Sequence, residues 1–201
     1  MHKLIHRFAD CRLLVIGDLM IDEYVWGDVD RISPEAPVQV VSVIREDLTL
    51  GGAGNVVNNL RALGARVSVA GVVGTAADGD RLIDMFNGLQ VDCRGVVQEA
   101  ERPTTRKTRI IASNQHVLRV DRETKREISG ASFDRLVTFM ETVMPDIDIV
   151  LVSDYNKVLV TESLMERVTA AANRHGKCVI VDPKGLNYQK YKGATLLTPN
   201  R

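Results

Sequence analysis

A run of glycines in the first third of the chain constrains its fold more than any other feature. Three of the four residues at 51–54 are glycine, which costs too much backbone entropy for the interior of a helix or a strand. The residues that follow place apolar side chains at helical spacing: Val56, Val57, Leu60 and Leu63. Gly64 then occupies the position just beyond a helix end. The pattern predicts a glycine turn that opens a helix, with Asn55 in the first helical turn.

This turn has both a structural and a functional interpretation. It can be simply a tight turn before a packing helix. Alternatively, the free N–H groups at the start of the helix face a ligand, which glycine allows to approach the main chain closely. A dinucleotide-binding fingerprint, G-x-G-x-x-G, fails because Val57 takes the place of the third glycine, and residues 45–50 do not indicate a buried strand that enters the turn. A Walker motif fails because no Lys-Ser or Lys-Thr pair follows. A nucleotide-binding oxidoreductase is thus the weakest of the functions considered.

Composition argues against several classes of partner. The 201 residues suffice for one large domain or most of one. The 26 basic and 26 acidic residues cancel, so nothing points to nucleic acid or an anionic membrane as a partner. Three cysteines without a C-x-x-C pair fit a reducing cytoplasm. No apolar run is long enough for a signal peptide or a membrane span.

Short apolar runs alternate with helical patterns along most of the chain. The runs predict buried strands at 13–17, 67–73, 147–152, 178–181 and 195–197. The helical patterns predict helices at 80–89, 133–144 and 161–175. This alternation predicts an α/β fold with a doubly wound parallel sheet.

Two segments interrupt that alternation. Residues 24–45 contain two extended stretches around a proline-marked turn, and residues 104–120 alternate polar and apolar side chains around a turn at Ser113 and Asn114. We expect these two ribbons to pair into a small β-sheet that stands off the main body. Their apolar positions lack a covering helix, so we also expect this sheet to form a homodimer contact.

Polar side chains follow the predicted strands where each strand ends. They are Asp18 and Asp22, then Asp154 and Lys157, then Asp182 and Lys184, and finally Asn200. A single carboxylate at a strand end can equally cap a helix, but ligands of such sheets bind beyond the carboxyl ends of the strands. Carboxylates accept hydrogen bonds from hydroxyls, and lysines bind phosphate oxygens. The set predicts a site for a phosphorylated polyol, without a metal-ligand cluster or a Ser-His-Asp or Cys-His arrangement.

Four segments together resemble the ribokinase-like carbohydrate kinases: 17–22 (GDLMID), 51–55 (GGAGN), 182–185 (DPKG) and 198–200 (TPN). Two more narrow the resemblance: 31–38 (RISPEAPV) and 151–157 (LVSDYNK). They are similar to the kinase domain that phosphorylates D-glycero-β-D-manno-heptose 7-phosphate at O1, on the route to ADP-heptose for lipopolysaccharide. The resemblance implies a ribokinase-like fold in which the two ribbons form a lid over the sugar.

The resemblance also implies roles for individual positions. The sugar site would comprise Asp18, Asp22, Gly51, Gly52 and Asn55, with Asp154 and Lys157 across the cleft. Three basic residues of one lid strand would reach the substrate phosphate: Arg106, Lys107 and Arg109. A solvated strand face explains those three equally well. The part of the site that binds ATP and Mg²⁺ would contain Asp182, Lys184 and Asn200.

The chain departs from the family pattern at its end. Asn200 would open the Asn-x-x-Glu motif of the family, whose glutamate falls beyond Arg201. The Gly-Ala-Gly-Asp segment that supplies the catalytic base in the family also falls beyond it. We therefore expect residues 1–201 to be the sugar-binding, C-terminally incomplete part of a kinase domain, inactive alone and without a catalytic residue. The alternative is a truncated relative that binds a sugar phosphate or a partner without catalysis.

Overall fold

The computed structural model describes residues 6–200, which contain ten strands and four α-helices. The strands are β1 (Arg12–Gly17), β2 (Leu19–Ile32), β3 (Gln39–Gly52), β4 (Arg66–Gly74), β5 (Asp92–Glu99), β6 (Thr105–Ala112), β7 (Gln115–Arg122), β8 (Ile149–Ser153), β9 (Cys178–Asp182) and β10 (Leu196–Leu197). The helices are α1 (Ala53–Ala62), α2 (Ala77–Gly88), α3 (Gly130–Val143) and α4 (Glu162–Arg174). None of the described helices is long and apolar enough to cross a membrane.

The main body is a six-stranded sheet in the order β10-β9-β8-β1-β4-β5, and all of its neighbouring strands are parallel. Strand β1 lies near the centre and is buried on both faces, which explains its unbroken apolar sequence. Alternate side chains enter different cores: Leu14 and Ile16 pack with the residues of α3 and α4, whereas Leu13 and Val15 pack with those of α1 and α2. This confirms the predicted parallel α/β fold.

The two ribbons form a second, mixed sheet in the order β3-β2-β6-β7. Strands β2 and β3 are antiparallel, β2 and β6 are parallel, and β6 and β7 are antiparallel. The strands are longer than the sequence indicates, because β2 begins at Leu19 and β3 continues to Gly52. A strand therefore does lead into the glycine turn, although most of residues 45–50 are not buried, as the sequence indicates. Residues 45–50 are a strand of the second sheet, and most of their side chains are exposed or half-buried rather than core-forming.

Strand β5 is absent from the sequence-based prediction. It lies at the edge of the main sheet, and its only adjacent buried apolar residues are Val96 and Val97. An edge strand needs fewer apolar residues because one side of its backbone has no neighbour, so its sequence signal is weak.

Helix ends follow the predicted signals. The Thr161 side chain accepts a hydrogen bond from the backbone N–H of Leu164 at 3.2 Å and caps α4. Gly64 and Gly176 follow the ends of α1 and α4 in left-handed conformations, with φ of 90° and 62°. These helices bring the carboxyl ends of β1, β8 and β9 and the glycine turn to one rim of the main sheet.

Candidate functional site

The glycine turn wraps closely around the segment from Asp18 to Asp22. A Cβ atom at Gly51 would lie 2.6 Å from Oδ2 of Asp22, and one at Gly52 would lie 2.5 Å from the carbonyl oxygen of Asp18. Gly52 also has φ of 55° and ψ of −132°, a conformation that only glycine adopts readily. Helix α1 starts directly after it, and Asn55 in its first turn is exposed. The turn thus packs against the backbone of Asp18 and the carboxylate of Asp22, directly before the N-terminus of α1.

Asp18 connects the ends of β1 and β8. Its side chain is only 4% exposed, and Oδ2 accepts hydrogen bonds from the backbone N–H of Tyr155 at 2.7 Å and of Lys157 at 3.1 Å. Burial raises the pKa of Asp18 above its ordinary value, and the nearby Asp154 adds to this, while the two N–H groups oppose it. Asp18 therefore fixes the loop that carries residues 154–157.

Asp22 belongs to the second sheet but lies at the same rim. Its Oδ1 accepts a hydrogen bond from Nη1 of Arg109 at 2.6 Å. The Arg109 guanidinium also lies 5.2 Å from the ring centroid of Tyr24, and its hydrogen bond to Asp22 raises the pKa of Arg109. Lys107 is in register with Asp22 across β2 and β6 and shares its face of the sheet. Asp22, Lys107 and Arg109 therefore form one polar face.

Arg106 lies on the opposite face of β6, because neighbouring strand residues point to opposite sides. Its guanidinium pairs with Glu23, through Nε and Oε2 at 3.0 Å, and with Oδ1 of Asp78 at 2.9 Å. The hydrogen bond from Arg106 lowers the pKa of Glu23. The structure does not bring Arg106 together with Lys107 and Arg109, which corrects the expectation that all three reach one phosphate. Arg106 instead attaches the second sheet to the first turn of α2.

Asp154 lies at the rim, but both of its oxygens are occupied. Oδ1 accepts a hydrogen bond from the backbone N–H of Asn156 at 2.6 Å, and Oδ2 accepts one from the hydroxyl of Tyr191 at 2.6 Å. The ammonium of Lys190 lies 2.5 Å from the same Oδ2. Burial first, and the hydrogen bond to Asp154 next, raise the pKa of Tyr191. The side chain of Asp154 thus holds two loops together, and both of its oxygens accept hydrogen bonds from them.

Lys157 bridges the two sheets. Its Nζ lies 2.7 Å from Oε2 of Glu123, the residue just after β7, and both side chains are about three-quarters buried. Tyr155, two residues earlier, is half-buried among carboxylates. Burial raises the pKa of Tyr155, and the charges of Asp182, Asp22 and Asp18 add to the rise. Tyr155 lies within the segment 151–157, but a tyrosine beside a strand end carries no sequence signal of its own.

The remaining polar residues lie beyond β9 and β10. Asp182 is half-buried, and burial raises its pKa although Lys184 opposes the rise. The backbone N–H of Lys184 donates to the hydroxyl of Tyr191 at 3.1 Å, which links this loop to Asp154. Lys184 and Asn200 are exposed. Within residues 6–200, no group of three or more His, Cys, Asp and Glu side chains is arranged to hold a metal ion.

Comparison with known proteins gives the family. Residues 11–201 match the pfkB family of carbohydrate kinases. The chain belongs to this family. It is 55% identical over 194 residues to the bifunctional protein HldE of Desulfatibacillum aliphaticivorans and 52% identical over 199 residues to that of Trichlorobacter lovleyi. These alignments cover 96% and 99% of the chain but only 40% of each relative, so the chain spans about two-fifths of the length of these pfkB-family relatives.

Solved structures of ribokinase-like proteins share the fold. Arabidopsis thaliana ribokinase, complexed with ribose and ATP, superposes with a TM-score of 0.66 at 18% identity, over 94% of this chain and 60% of that one. The tetrameric inhibited form of phosphofructokinase-2 from Escherichia coli gives a TM-score of 0.68 at 18% identity, over 94% of this chain and 61% of that one. At this identity the likeness supports the fold and not a shared substrate.

Proposed function

We propose that this pfkB-family chain binds the sugar in an ATP-dependent kinase that phosphorylates D-glycero-β-D-manno-heptose 7-phosphate at O1. The observation that most supports this proposal is the polar face formed by Asp22, Lys107 and Arg109 beside the glycine turn. It combines acceptors for hydroxyls with cations for a phosphate at one rim. The motifs that resemble a heptose 7-phosphate kinase domain support a heptose phosphate as the sugar, and the 55% and 52% identity to HldE proteins is consistent with it.

Each rim residue has a distinct proposed role. Asp22 and Asn55 hydrogen-bond sugar hydroxyls, and the backbone of Gly51 and Gly52 allows the sugar to approach closely. Lys107 and the free N–H groups of Arg109 bind the 7-phosphate, with Arg109 also holding the Asp22 carboxylate in place. Asp18 and Asp154 act as positioning residues, because their oxygens already accept hydrogen bonds from the surrounding loops. Lys157 joins the lid to the main body through Glu123.

The residues beyond β9 and β10 suit the phosphate end of ATP. The exposed Lys184 and Asn200 supply a cation and an amide for phosphate oxygens, and Asp182 supplies one carboxylate toward Mg²⁺. Mg²⁺ in kinases is held largely by substrate phosphates and water with one or two carboxylates, so a dedicated cluster of protein ligands is not required. When bound, ATP supplies the transferred phosphoryl group and Mg²⁺ offsets its charge.

Assembly and location complete the proposal. The second sheet exposes apolar side chains, among them Leu118 and Val120, which suit a homodimer contact through the lid. The three cysteines are free thiols, in keeping with a cytoplasmic protein. A non-catalytic sugar-phosphate-binding protein is the second candidate, because the rim carboxylates Asp18, Asp22 and Asp154 are all engaged. The two candidates share the binding site and differ only in turnover.

Calorimetry with heptose 7-phosphate tests the binding site. We expect Asp22→Ala and Lys107→Ala each to weaken binding by about 1.5–3 kcal/mol, since each removes a charged partner from a partly dry cleft. Asp28→Ala is the matched control. Asp28 is an exposed aspartate on the same strand as Asp22, further along it and away from the rim. Wild-type affinity in both test variants, or equal losses in the control, would contradict the assignment.

A further inference from the structure

A groove lies at the amino-terminal ends of β1 and β4. The sugar cleft lies at the opposite, carboxyl ends of the strands. The groove has a volume of about 350 Å³, near the lower end of the usual size range of small-molecule sites. Four arginines and two aspartates line it, so it carries two positive charges in excess: Arg12, Arg61, Arg66, Arg94, Asp92 and Asp146. None of these residues belongs to the site described above.

Two of the arginines lie next to each other in the sheet. Arg12 and Arg66 are direct partners in the register of β1 and β4, on strands that lie about 4.8 Å apart. Two guanidinium groups at such neighbouring positions repel each other unless a negative group lies between them. Among the described residues, the carboxylates paired with the Arg12 guanidinium are those of Asp146 and Asp148, each 3.8 Å from it, and the Asp148 carboxylate also accepts a hydrogen bond from the Arg12 backbone N–H at 2.7 Å. Arg66 has no carboxylate within 4.0 Å in the part of the chain that the structure describes.

The other two arginines differ in how their charge is balanced. Arg94 forms two hydrogen bonds of 2.8 Å with Asp92 and is neutralised by it. Arg61 instead donates Nε to the carbonyl of Leu89 and Nη1 to the carbonyl of Ala65, both at 2.7 Å. Neutral carbonyls hold this guanidinium in place without cancelling its charge. A preorganised cation of this kind loses little side-chain entropy when an anion binds.

From this arrangement we infer that the groove binds a compact phosphate-type anion, such as pyrophosphate or the phosphate end of a small metabolite. The guanidinium of Arg66 supplies an unpaired fork of N–H donors, and that of Arg61 supplies a fixed positive charge beside it. Planar guanidinium groups match phosphate oxygens in geometry and charge. The hydroxyl of Ser68 and the amide of Gln90 at the rim add neutral partners. The inference is independent of the sugar site and of its proposed function.

Calorimetric titration of pyrophosphate and of inorganic phosphate into the 201-residue chain tests the inference. We expect saturable binding of pyrophosphate that weakens as NaCl is added, because the groove is open to solvent. Arg66→Ala should weaken it by about tenfold or more, and Arg66→Lys, which keeps the charge but loses the planar fork of donors, should weaken it less. Arg167→Ala is the matched control, an exposed arginine on α4 that pairs with Glu141. Absent binding, or equal affinity in Arg66→Ala, overturns the inference.

A second measurement separates this groove from the sugar cleft. Lys107→Ala should retain the pyrophosphate binding that Arg66→Ala weakens. Amide chemical shifts should change around Arg66 and Ser68 on adding pyrophosphate and stay unchanged around Asp22. Loss of pyrophosphate binding in Lys107→Ala, or shifts confined to the sugar cleft, would place the anion in that cleft and refute the groove site.

Discussion

At the scale of single residues, Gly52 allows the backbone of the glycine turn to pack against Asp18 at the rim. Its φ of 55° and ψ of −132° are strained for any residue other than glycine. A Cβ atom at this position would also lie 2.5 Å from the carbonyl oxygen of Asp18, which is too close. We expect Gly52→Ala to destabilise the fold by about 1–3 kcal/mol or more, from backbone strain alone. Urea denaturation of the variant measures this loss.

Gly88→Ala provides the matched control for that experiment. Gly88 lies in α2, and a Cβ atom there would meet nothing within 4 Å. Alanine favours a helix over glycine, so Gly88→Ala should be neutral or stabilising by up to about 1 kcal/mol. Equal unfolding midpoints for Gly52→Ala and wild type would show that the turn relaxes without strain.

The sequence predicts which residues lie at the rim, but it does not predict which partners their side chains have. A carboxylate after a strand signals a rim position, which is why Asp18, Asp22 and Asp154 were predicted as a group. Whether such a carboxylate stays free depends on partners distant in the chain, such as Tyr191 for Asp154. Alternation on a strand separates Arg106 from Lys107, but only the packing of α2 shows that Arg106 has carboxylate partners of its own.

At the scale of elements, Glu99 joins the end of β5 to the start of α3. It pairs with Arg102 and accepts hydrogen bonds from the backbone N–H of Ser129 at 2.7 Å and the hydroxyl of Ser132 at 3.2 Å. Burial disfavours the charge, but these contacts outweigh burial and lower the pKa of Glu99 from 4.5 to about 2. The ionised carboxylate therefore holds two elements together.

This lowered pKa predicts a pH-dependent stability. The group binds a proton more readily in the unfolded chain, so its contribution is present above pH 4.5 and is lost as the pH falls from 4.5 toward 2. Glu99→Gln should lose about 3 kcal/mol of unfolding free energy at pH 7, and much less near pH 2. Urea denaturation at both pH values checks this, with the 88%-exposed Glu101 changed to Gln as the control. A pH-independent difference would contradict the role of the charge.

Some strands can be predicted from their own sequences and others cannot. Strand β1 is covered on both faces and is therefore apolar throughout, so its position was predicted within one residue. Strand β5 lies at an edge, and residues 45–50 pair in the second sheet with polar side chains outward, so neither carries a strong apolar pattern. The fold class followed from the alternation of buried strands and helices, whereas the extent of the second sheet required its long-range pairing.

At the scale of the whole molecule, the second sheet extends beyond the main body with an apolar face. Its lower part, at Ile21 and Leu50, is buried against the main core, but Leu118 and Val120 are 53% and 49% exposed. Side chains two apart on a strand share a face, so these two form a continuous apolar surface. Such a surface favours association with a second copy of the chain.

We therefore expect a homodimer that the double substitution Leu118→Lys, Val120→Lys converts to a monomer, because buried lysines would repel across the interface. Light scattering at high micromolar concentration measures the mass. Leu63→Lys is the control, since Leu63 lies outside the second sheet and is 42% exposed. A monomeric wild type, or a dimer unaffected by the double substitution, would contradict a lid-mediated contact.

The state of the rim carboxylates leads to the last prediction: the 201-residue chain binds heptose 7-phosphate but does not transfer phosphate. Phosphoryl transfer needs a group that orients or deprotonates the attacking hydroxyl, together with charge stabilisation around the γ-phosphate. Oδ2 of Asp18 accepts two backbone N–H groups, Oδ1 of Asp22 pairs with Arg109, and both oxygens of Asp154 accept hydrogen bonds. Because neighbouring groups already hold all three carboxylates, we expect none of them to act as the base.

A coupled ADP-release assay with heptose 7-phosphate, ATP and Mg²⁺ measures the turnover. Because neighbouring groups already hold each rim carboxylate, we expect ADP release to be no higher than background. A full-length HldE relative under the same conditions serves as the positive control, and calorimetry on the same sample confirms that the sugar phosphate binds. Turnover near 1 s⁻¹, within the ordinary kinase range of about 1–100 s⁻¹, would mean that a rim carboxylate exchanges its partners to act as the base. In that case Asp22→Asn, which keeps the shape of the side chain and removes its charge, would identify or exclude Asp22 as that group.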